Sequence, residues 1–250
     1  MDSTWFRRFG TAAPEGSMRL VCFPHAGGAA SAFVPLSRAL GDRLDVLAVQ
    51  YPGRQDRRRE QPFTSVTAHA DALAEALEPL TGEPYALFGH SMGAVLAYET
   101  TRRLTAAGRP GPNRLFLSGR GAPSPHPSVH DRLAGDAEIV AAVRGLGGTG
   151  NAVFDDPELL EMVLPALRAD YGALGSYHWN GGAPLASPVT VVVGDADPVV
   201  TVQEAAGWRD HTTGDFALEI LPGGHFYLDE RTTDVAGIIT TGLLAAGPAA

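Results

Sequence analysis

The stretch YALFGHSMGA, residues 85–94, decides how the rest of the sequence is interpreted. Residues 85–88 form an apolar run that predicts a short buried strand, and residues 92–104 have the spacing of a helix. Between them, Ser91 lies two positions from a glycine on either side, in the pattern G-x-S-x-G. The pattern alone is weak, and Ser91 is either a nucleophile or a turn residue. In a strand–turn–helix context, small residues are needed because strand and helix approach closely, and the serine hydroxyl is exposed at the strand end.

Short apolar runs alternate with helical patterns along most of the chain. Continuous apolar strands separated by helices are typical of an α/β protein with a mostly parallel sheet covered by helices on both faces. Ser65 is a candidate N-cap for one of these helices. The predicted strands are 18–23, 44–49, 85–88, 114–118, 189–193 and 216–221, and the predicted helices outside the middle of the chain are 32–40, 66–80, 92–104 and 235–244.

Residues from about 121 to 185 interrupt this alternation and contain no convincing strand. They begin with the Pro-rich segment APSPHP and include a predicted helix over 136–144. The length of the chain suits one large domain or two small ones. We interpret 121–185 as a helical insertion between two strands of one sheet, so that residues 1–250 form a single domain.

A second helix is predicted in this insertion, over 157–175, after a Gly-rich loop at 145–150 that could let the insertion move as a lid. Asp156 is a candidate N-cap, with Pro157 in the first turn, and Pro165 is expected to kink or split the helix. One face of the helix is apolar. Its side chains either pack on the core or line an acyl chamber, and the two roles can fall to different residues among Leu159, Leu160, Val163, Leu164 and Leu167.

Composition excludes several classes of function. The formal net charge of −9 argues against a nucleic-acid partner, since phosphate-binding proteins are usually basic. The single cysteine, Cys22, cannot form an intramolecular disulfide and is expected to be a buried core thiol. The N-terminus lacks the apolar segment of a signal peptide, and no run approaches the roughly 18 apolar residues of a membrane helix. A cytoplasmic location is therefore expected, with no membrane association.

A serine nucleophile needs a base, and the base needs an orienting acid. Asp195 and Asp197 follow the predicted strand 189–193, and His225 follows the strand 216–221. All three therefore lie at the carboxyl ends of strands, where open parallel sheets form their ligand-binding sites. Of the eight histidines, His225 is the one that lies late in the chain, in a loop, behind two glycines. We predict His225 as the base and favour Asp197 as the acid, because Asp195 adjoins the strand end.

An oxyanion hole needs two donors. One is expected to be the backbone N–H of Met92, directly after Ser91, and the other the backbone N–H of Ala26, in the Gly-rich loop 23–28. This loop lacks the spacing of a phosphate-binding loop. The run Arg54-Gln55-Asp56-Arg57-Arg58-Arg59 is locally basic, and it is either a solvated loop or a docking patch for an acidic partner.

These residues resemble the α/β-hydrolase superfamily and, more narrowly, the type II thioesterases that accompany polyketide and nonribosomal peptide synthases. The resemblance spans nearly the whole chain, and its combination of motifs is more specific than G-x-S-x-G. One departure is Gly150, where the family often has proline. The motifs are FPHAGG (23–28), YPGRQDR (51–57), FGHSMGA (88–94), LGGTG with DPELLEMVLPALRADY (146–150, 156–171), and GDADP with GGHFYL (194–198, 223–228).

The resemblance implies that Ser91, Asp197 and His225 form a catalytic triad, with Ala26 and Met92 as the oxyanion donors. It implies a substrate as well, an acyl group on the phosphopantetheine thiol of a carrier protein, and an editing role that frees blocked carriers by hydrolysis. No metal or bound cofactor is expected.

Three other functions remain open at this stage. A carboxylesterase or lipase would use the same residues on oxygen esters. A chain-terminating thioesterase domain of a megasynthase would release or cyclise a product, although the start at Met1, with a short lead to the first strand, favours a free-standing enzyme. A binding protein without activity is disfavoured by the complete set of candidate residues.

Overall fold

The computed structural model describes residues 4–10, 14, 16–126, 128–133, 135–147 and 154–245, and seven of its segments pair into one sheet. The strand order is β1-β3-β2-β4-β5-β6-β7, with β1 antiparallel to β3 and every other pair parallel. The mostly parallel sheet predicted from the alternating pattern is therefore present. The strands are β1 Phe6–Arg8, β2 Arg19–Phe23, β3 Asp45–Val49, β4 Tyr85–His90, β5 Leu115–Ser118, β6 Val189–Gly194 and β7 Phe216–Leu221.

Helices cover both faces of the sheet. Helices α1 and α8 contact each other on one face, and α2 and α3 contact each other on the other. The predicted cap is present, since the Ser65 hydroxyl accepts a hydrogen bond from the Ala68 N–H. The helices are α1 Val34–Leu40, α2 Val66–Leu77, α3 Met92–Ala106, α4 Asp136–Gly145, α5 Pro157–Gly175, α6 Val202–Ala206, α7 Tyr227–Glu230 and α8 Thr232–Ala245.

The strands are buried because alternate residues face two separate apolar clusters. In β2, Val21 and Phe23 contact the cluster under α2 and α3, whereas Leu20 and Cys22 contact the cluster under α1 and α8. Each fully buried aliphatic side chain of this kind contributes about 1.5–3 kcal/mol relative to an exposed one. Cys22 is a fully buried free thiol, as predicted, and burial raises its pKa.

Strand β1 is an element that the sequence pattern does not predict. Of its three residues only Phe6 is buried, so the segment has no apolar run. Its strand conformation depends on antiparallel pairing with β3, in the register Phe6 to Val49. Arg8, beside it, donates to Asp45 at 2.9 Å and 3.0 Å. The strand therefore exists through tertiary contacts.

Two predicted helices differ from the observed ones in their end turns. The helix predicted over 32–40 begins at Val34, after a 3₁₀ turn over Ala30–Phe33. The helix predicted over 66–80 ends at Leu77, and Glu78–Leu80 form a 3₁₀ turn. Pro79 lies in that turn and has no N–H with which to continue the helical hydrogen bonds.

The part of the insertion 121–185 that the structure describes contains no strand, and α4 and α5 pack together there. The expected cap is present, because the Asp156 carboxylate accepts from the N–H groups of Glu158 and Leu159. Of the two effects predicted for Pro165, the structure excludes a split, since α5 continues unbroken through it. The helical turns after Pro165 are largely buried, and this packing outweighs the lost hydrogen bond. Part of the Gly-rich loop, including Gly150, lies outside the described residues.

The sheet topology brings the loops of interest to one edge. The chain passes from β2 outward to β3 and then returns to β4 on the other side of β2, so the loops after β2 and β4 diverge. Open parallel sheets bind ligands at the carboxyl ends of strands at such a point. The loops that carry Ala26, Ser91, Asp197 and His225 follow β2, β4, β6 and β7, and all these strands are parallel.

The close approach of α3 to the sheet is testable at Gly93. A Cβ atom there would lie 2.0 Å from the Phe23 carbonyl oxygen, so we expect Gly93→Ala to lower the free energy of unfolding by about 3 kcal/mol, at the upper end of overpacking costs. Urea denaturation measures the change.

Gly237→Ala is the matched control, because Gly237 lies in α8 and a Cβ atom there would meet nothing within 4 Å. We expect that variant to gain about 0.5–1 kcal/mol from helix propensity. Equal stabilities of the two variants would contradict the packing described here.

Candidate active site

Ser91 occupies a strained turn between β4 and α3. Its φ is 55° and its ψ is −116°, a backbone conformation that non-glycine residues seldom adopt. Its N–H donates to the Ser118 carbonyl oxygen at 2.8 Å. The flanking glycines are required sterically, since a Cβ atom on Gly89 would lie 2.2 Å from the Gly93 carbonyl oxygen. The turn predicted from G-x-S-x-G is therefore present, and Ser91 lies at the positive end of α3.

His225 joins Ser91 to Asp197 in one chain of hydrogen bonds. Its Nε2 lies 3.0 Å from the Ser91 Oγ, and its Nδ1 lies 2.9 Å from the Asp197 Oδ2. The side chains of His225 and Asp197 are 1% and 0% exposed, so bulk water does not compete for these bonds. This geometry allows the imidazole to accept the serine proton while the carboxylate stabilises the resulting cation.

The structure distinguishes the two candidate carboxylates. Asp197 reaches His225, and its other oxygen, Oδ1, accepts from the Val199 N–H at 2.8 Å. Asp195 instead accepts from the Gly223 N–H at 2.9 Å and so ties the loop after β6 to the loop that carries His225. The structure therefore brings Asp197, and not Asp195, into contact with His225.

His90, next to Ser91 in the chain, is held away from it. Its Nδ1 lies 2.8 Å from the Ser118 Oγ, which in turn lies 2.5 Å from the Tyr227 hydroxyl, and that hydroxyl donates to the Val192 carbonyl at 3.0 Å. Burial lowers the pKa of His90 well below its ordinary value, and the neighbouring His225 lowers it further. His90 is thus a neutral ring packed behind His225, at 5.1 Å between ring centroids.

The loop after β2 forms a tight turn beside Ser91. The His25 carbonyl accepts from the Gly28 N–H at 2.9 Å, and the Gly27 N–H donates to the Asp170 Oδ2 at 2.7 Å. Burial lowers the pKa of His25 to about 4, so this ring is neutral at pH 7. Ala26 lies in the turn itself, and Met92 begins α3.

A cavity of about 680 Å³ opens beside this loop. It lies between the loops after β2 and β3 on one side and helices α4 and α5 on the other. Val163 and Leu167 line it, whereas Leu159 is 42% exposed and fills neither of the two roles predicted for this face. Its lining includes Ala26, Gly27, Arg54, Arg58, Val163 and Leu167.

The basic run 54–59 is neither a uniform patch nor a solvated loop. Arg54 and Arg57 are 4% and 7% exposed. Arg54 pairs with Asp170, and Arg57 donates to the Gln50 carbonyl at 2.9 Å and lies over the Trp5 ring. Arg58 and Arg59 are exposed, and Arg58 reaches the cavity.

The pair formed by Arg54 and Asp170 was not predicted from the sequence as a part of the site. A signal was available, because Asp170 continues the apolar helical face of Val163 and Leu167 at a spacing of three to four residues. A carboxylate on a buried face requires a cationic or N–H partner.

Two negative findings apply to the described ranges. No group of three or more His, Cys, Asp or Glu side chains within them is placed to hold a metal ion. None of the helices in the described part of the chain is both long enough and apolar enough to cross a bilayer.

Residues 18–243 match the protein family described as thioesterase domain. The thioesterase PikA5 of Streptomyces venezuelae is 44% identical over 241 residues, covering 96% of this chain and 85% of that protein. The probable cadicidin biosynthesis thioesterase of Streptomyces griseus is 45% identical over 227 residues, covering 91% of this chain. This chain spans only 62% of the length of that relative.

A solved structure of another thioesterase is similar to this chain in both fold and sequence. The type II thioesterase BorB from the borrelidin biosynthetic cluster has a TM-score of 0.88 and 44% identity, covering 97% of this chain and 99% of that one. Together with the seven-stranded sheet and its flanking helices, this similarity confirms the predicted α/β-hydrolase fold.

The contrast between the two aspartates generates a prediction. Asp197→Asn should reduce the rate constant for labelling of Ser91 by a fluorophosphonate by about 100-fold or more, because the amide no longer orients His225 as a base. Mass spectrometry of the labelled serine against time provides the measurement.

Asp195→Asn serves as the control, because the asparagine carbonyl can still accept from the Gly223 N–H. We expect its labelling rate to stay within about 3-fold of that of the unmodified protein. A hydrogen bond to a neutral acceptor stabilises a loop by only about 1 kcal/mol less than one to a charged acceptor. The reverse order of the two rates would identify Asp195 as the acid.

Proposed function

This chain belongs to the thioesterase domain family, and on that basis we propose that it hydrolyses acyl groups from the phosphopantetheine thiol of carrier proteins. The observation that carries the proposal is the hydrogen-bonded chain of Ser91, His225 and Asp197, next to a cavity that Ala26 and Phe226 line. The similar proteins described above are named as thioesterases of biosynthetic pathways, which supports a role with polyketide or nonribosomal peptide synthases. Within such a pathway, the proposed task is editing, in which stalled carriers are freed by hydrolysis.

The first half of the proposed reaction acylates Ser91. Its Oγ attacks the thioester carbonyl carbon while its proton moves to the His225 Nε2, 3.0 Å away. The tetrahedral intermediate collapses by breaking the carbon–sulfur bond, and the leaving sulfur takes the proton from the His225 Nε2, so that a thiol departs and the imidazole is neutral again. A thiol has an ordinary pKa of about 8.5, so the thiolate leaves more easily than an alkoxide does.

The second half releases the acid. Water gives a proton to His225 and attacks the acyl-serine, and the same proton returns to the Ser91 Oγ as the acid leaves. Asp197 remains a carboxylate throughout and stabilises the imidazolium. The amides of Met92 and Ala26 are the proposed donors to the oxyanion in both halves, and losing one such donor typically costs about 3–4 kcal/mol of barrier.

The cavity is proposed to receive the acyl group. It adjoins Ala26, and its wall on the α5 side is apolar at Val163 and Leu167, which suits a hydrocarbon chain better than a charged one. Helices α4 and α5 belong to the insertion between β5 and β6, and we propose that this insertion acts as the lid of a single hydrolase domain.

Ser91→Ala should abolish turnover without unfolding the protein. We expect kcat on an acyl thioester to fall by about 10,000-fold or more, since removing the nucleophile removes the covalent route. The measurement is release of acid from an acylated, phosphopantetheinylated carrier, followed by intact mass, with the thermal midpoint as the check on folding.

Three outcomes would contradict the proposal. Hydrolysis by Ser91→Ala at a rate near that of the unmodified enzyme would exclude the serine mechanism. A large preference for an oxygen ester over the thioester of the same acyl group would identify a carboxylesterase, and a cyclised product would identify a chain-terminating enzyme.

Arg58 and Arg59 are the proposed contacts for the acidic carrier or its phosphate. Both are exposed, whereas Arg54 and Arg57 are buried in structural bonds, so only the first two are suited to charge reversal. Changing both to Glu should lower kcat/KM on a carrier-bound acyl group by about 10-fold, through loss of electrostatic attraction. Because Arg58 also lines the cavity, the same variant should lose less activity on a small acyl thioester than on the carrier-bound group, whereas Arg59→Glu alone should hydrolyse the small thioester at an unchanged rate.

Arg43→Glu is the control, because Arg43 is exposed and precedes β3 at the opposite edge of the sheet. It should leave both activities unchanged. Equal loss on the two substrates in the Arg58 and Arg59 variant would contradict a docking role.

A further inference from the structure

Asp170 is a buried charge that the proposed mechanism does not use. It lies on α5, and its side chain is 2% exposed. One oxygen, Oδ2, accepts from the Gly27 N–H at 2.7 Å and also pairs with the Arg54 guanidinium, which is 3% exposed. A buried carboxylate is costly unless it is paired and hydrogen-bonded, so Asp170 depends on both the Arg54 guanidinium and the Gly27 N–H.

The bond to Gly27 helps to set the direction of the Ala26 N–H. A trans peptide group is planar, so the Ala26 N–H points opposite to the His25 carbonyl, which is tied to the Gly28 N–H at 2.9 Å. The next peptide group carries the Gly27 N–H, which Asp170 ties. Both peptide planes that flank Ala26 are therefore fixed, one by the loop itself and one by α5.

Arg54 is anchored independently of α5. Its Nη1 donates to the Pro52 carbonyl at 2.7 Å, and its own carbonyl accepts from the Gln50 Nε2 at 3.1 Å. The Gln50 Oε1 accepts from the Ala30 N–H at 2.9 Å. The loop after β3 therefore holds both Asp170 and the end of the loop after β2.

Helix α5 contacts the same loop through packing. A Cβ atom on Gly27 would lie 2.4 Å from the Leu167 Cδ2, so Leu167 fills the space over this glycine. Leu167 and Val163 also line the cavity. One helix thus forms the cavity wall and holds the loop that contains Ala26.

We propose that Asp170, held by Arg54, is a positioning residue that aims the Ala26 N–H at the oxyanion and thereby couples the cavity wall to the chemical step. This inference rests on the proposed function, since it assigns Asp170 to the proposed donor Ala26. A hydrogen-bond donor that acts only in the transition state affects kcat, and its positioning has a smaller effect on the affinity for substrate.

Two double variants isolate the bond to Gly27. Both replace the guanidinium, as Arg54→Met/Asp170→Asn and Arg54→Met/Asp170→Leu, so that neither leaves a buried charge unpaired. Asn and Leu have the same branching at Cγ, but only Asn can accept from the Gly27 N–H. We expect kcat of the Leu variant on a small acyl thioester to be about 10-fold to 100-fold below that of the Asn variant, with KM within about 3-fold.

The matched control is the exposed ion pair that joins Arg168 on the same helix to Asp136 on α4. Arg168 donates to Asp136 through two bonds of 2.5 Å, and neither residue lines the cavity. Arg168→Gln breaks an ion pair on α5 without touching the loop after β2, and kcat should remain unchanged. If the Leu double variant does not fold, Asp170→Glu keeps the charge pair but displaces the oxygen, and we expect kcat to fall about 10-fold with the thermal midpoint largely retained.

Equal kcat values for the two double variants, or a difference confined to KM or to stability, would overturn the role of Asp170. An unchanged kcat in Asp170→Glu would do the same if the Leu variant is unfolded. Failure of the unmodified enzyme to hydrolyse any acyl thioester would instead contradict the proposed function, and this inference with it.

Discussion

The close approach of α3 to strands β2 and β4 is the constraint on which the site depends. It leaves no space for a Cβ atom at Gly89 or Gly93, and it holds Ser91 at a positive φ. A strained conformation of this kind persists only where the surrounding packing over-determines it. The buried sheet provides that packing, because both of its faces are covered by helices. The packing of the core therefore fixes the direction of the Ser91 hydroxyl group.

Buried polar bonds hold the other site residues from behind. His90 is held behind the imidazole by its bond to Ser118, which contacts Tyr227, and Asp170 ties the loop that carries Ala26. A hydrogen bond excluded from water is costly to leave unmade, so each of these contacts rigidifies the loop it holds. The Asp195 bond to Gly223, which is exposed, is a weaker tie on the loop that carries His225. Groups that are already oriented need little reorganisation as charge develops in a transition state. The neutral state of His90, which burial enforces, also keeps a second positive charge away from His225.

Helix α5 has two roles at the site. Its apolar residues wall the cavity, and its one buried carboxylate reaches the loop after β2. In our proposal, a change in the cavity wall reaches the Gly27 amide through α5 and the Asp170 side chain, which Arg54 holds in place. The continuity of α5 through Pro165 matters here, because a break at that position would separate Val163 from Leu167 and Asp170.

Much of the fold and part of the site could be predicted from residues close together in the chain. The strand–turn–helix around Ser91 follows from glycine spacing and apolar runs, because crowding at a turn is a local property. The positions of His225 and the two aspartates at strand ends follow from the order of the elements. Strand β1 could not be predicted, since its conformation comes from pairing with β3.

The sequence by itself determined six of the seven strands, the order of the loops along the chain and the types of side chain that follow those strands. Only the tertiary structure decided that Asp197 contacts His225 while Asp195 holds a loop, and that Arg54 and Arg57 are buried while Arg58 and Arg59 face solvent. The physical reason is that the residue type fixes charge and hydrogen-bonding capacity, whereas the partner of each group depends on which distant segments the fold brings together, as in the contact between Arg54 and Asp170, which lie 116 residues apart in the chain.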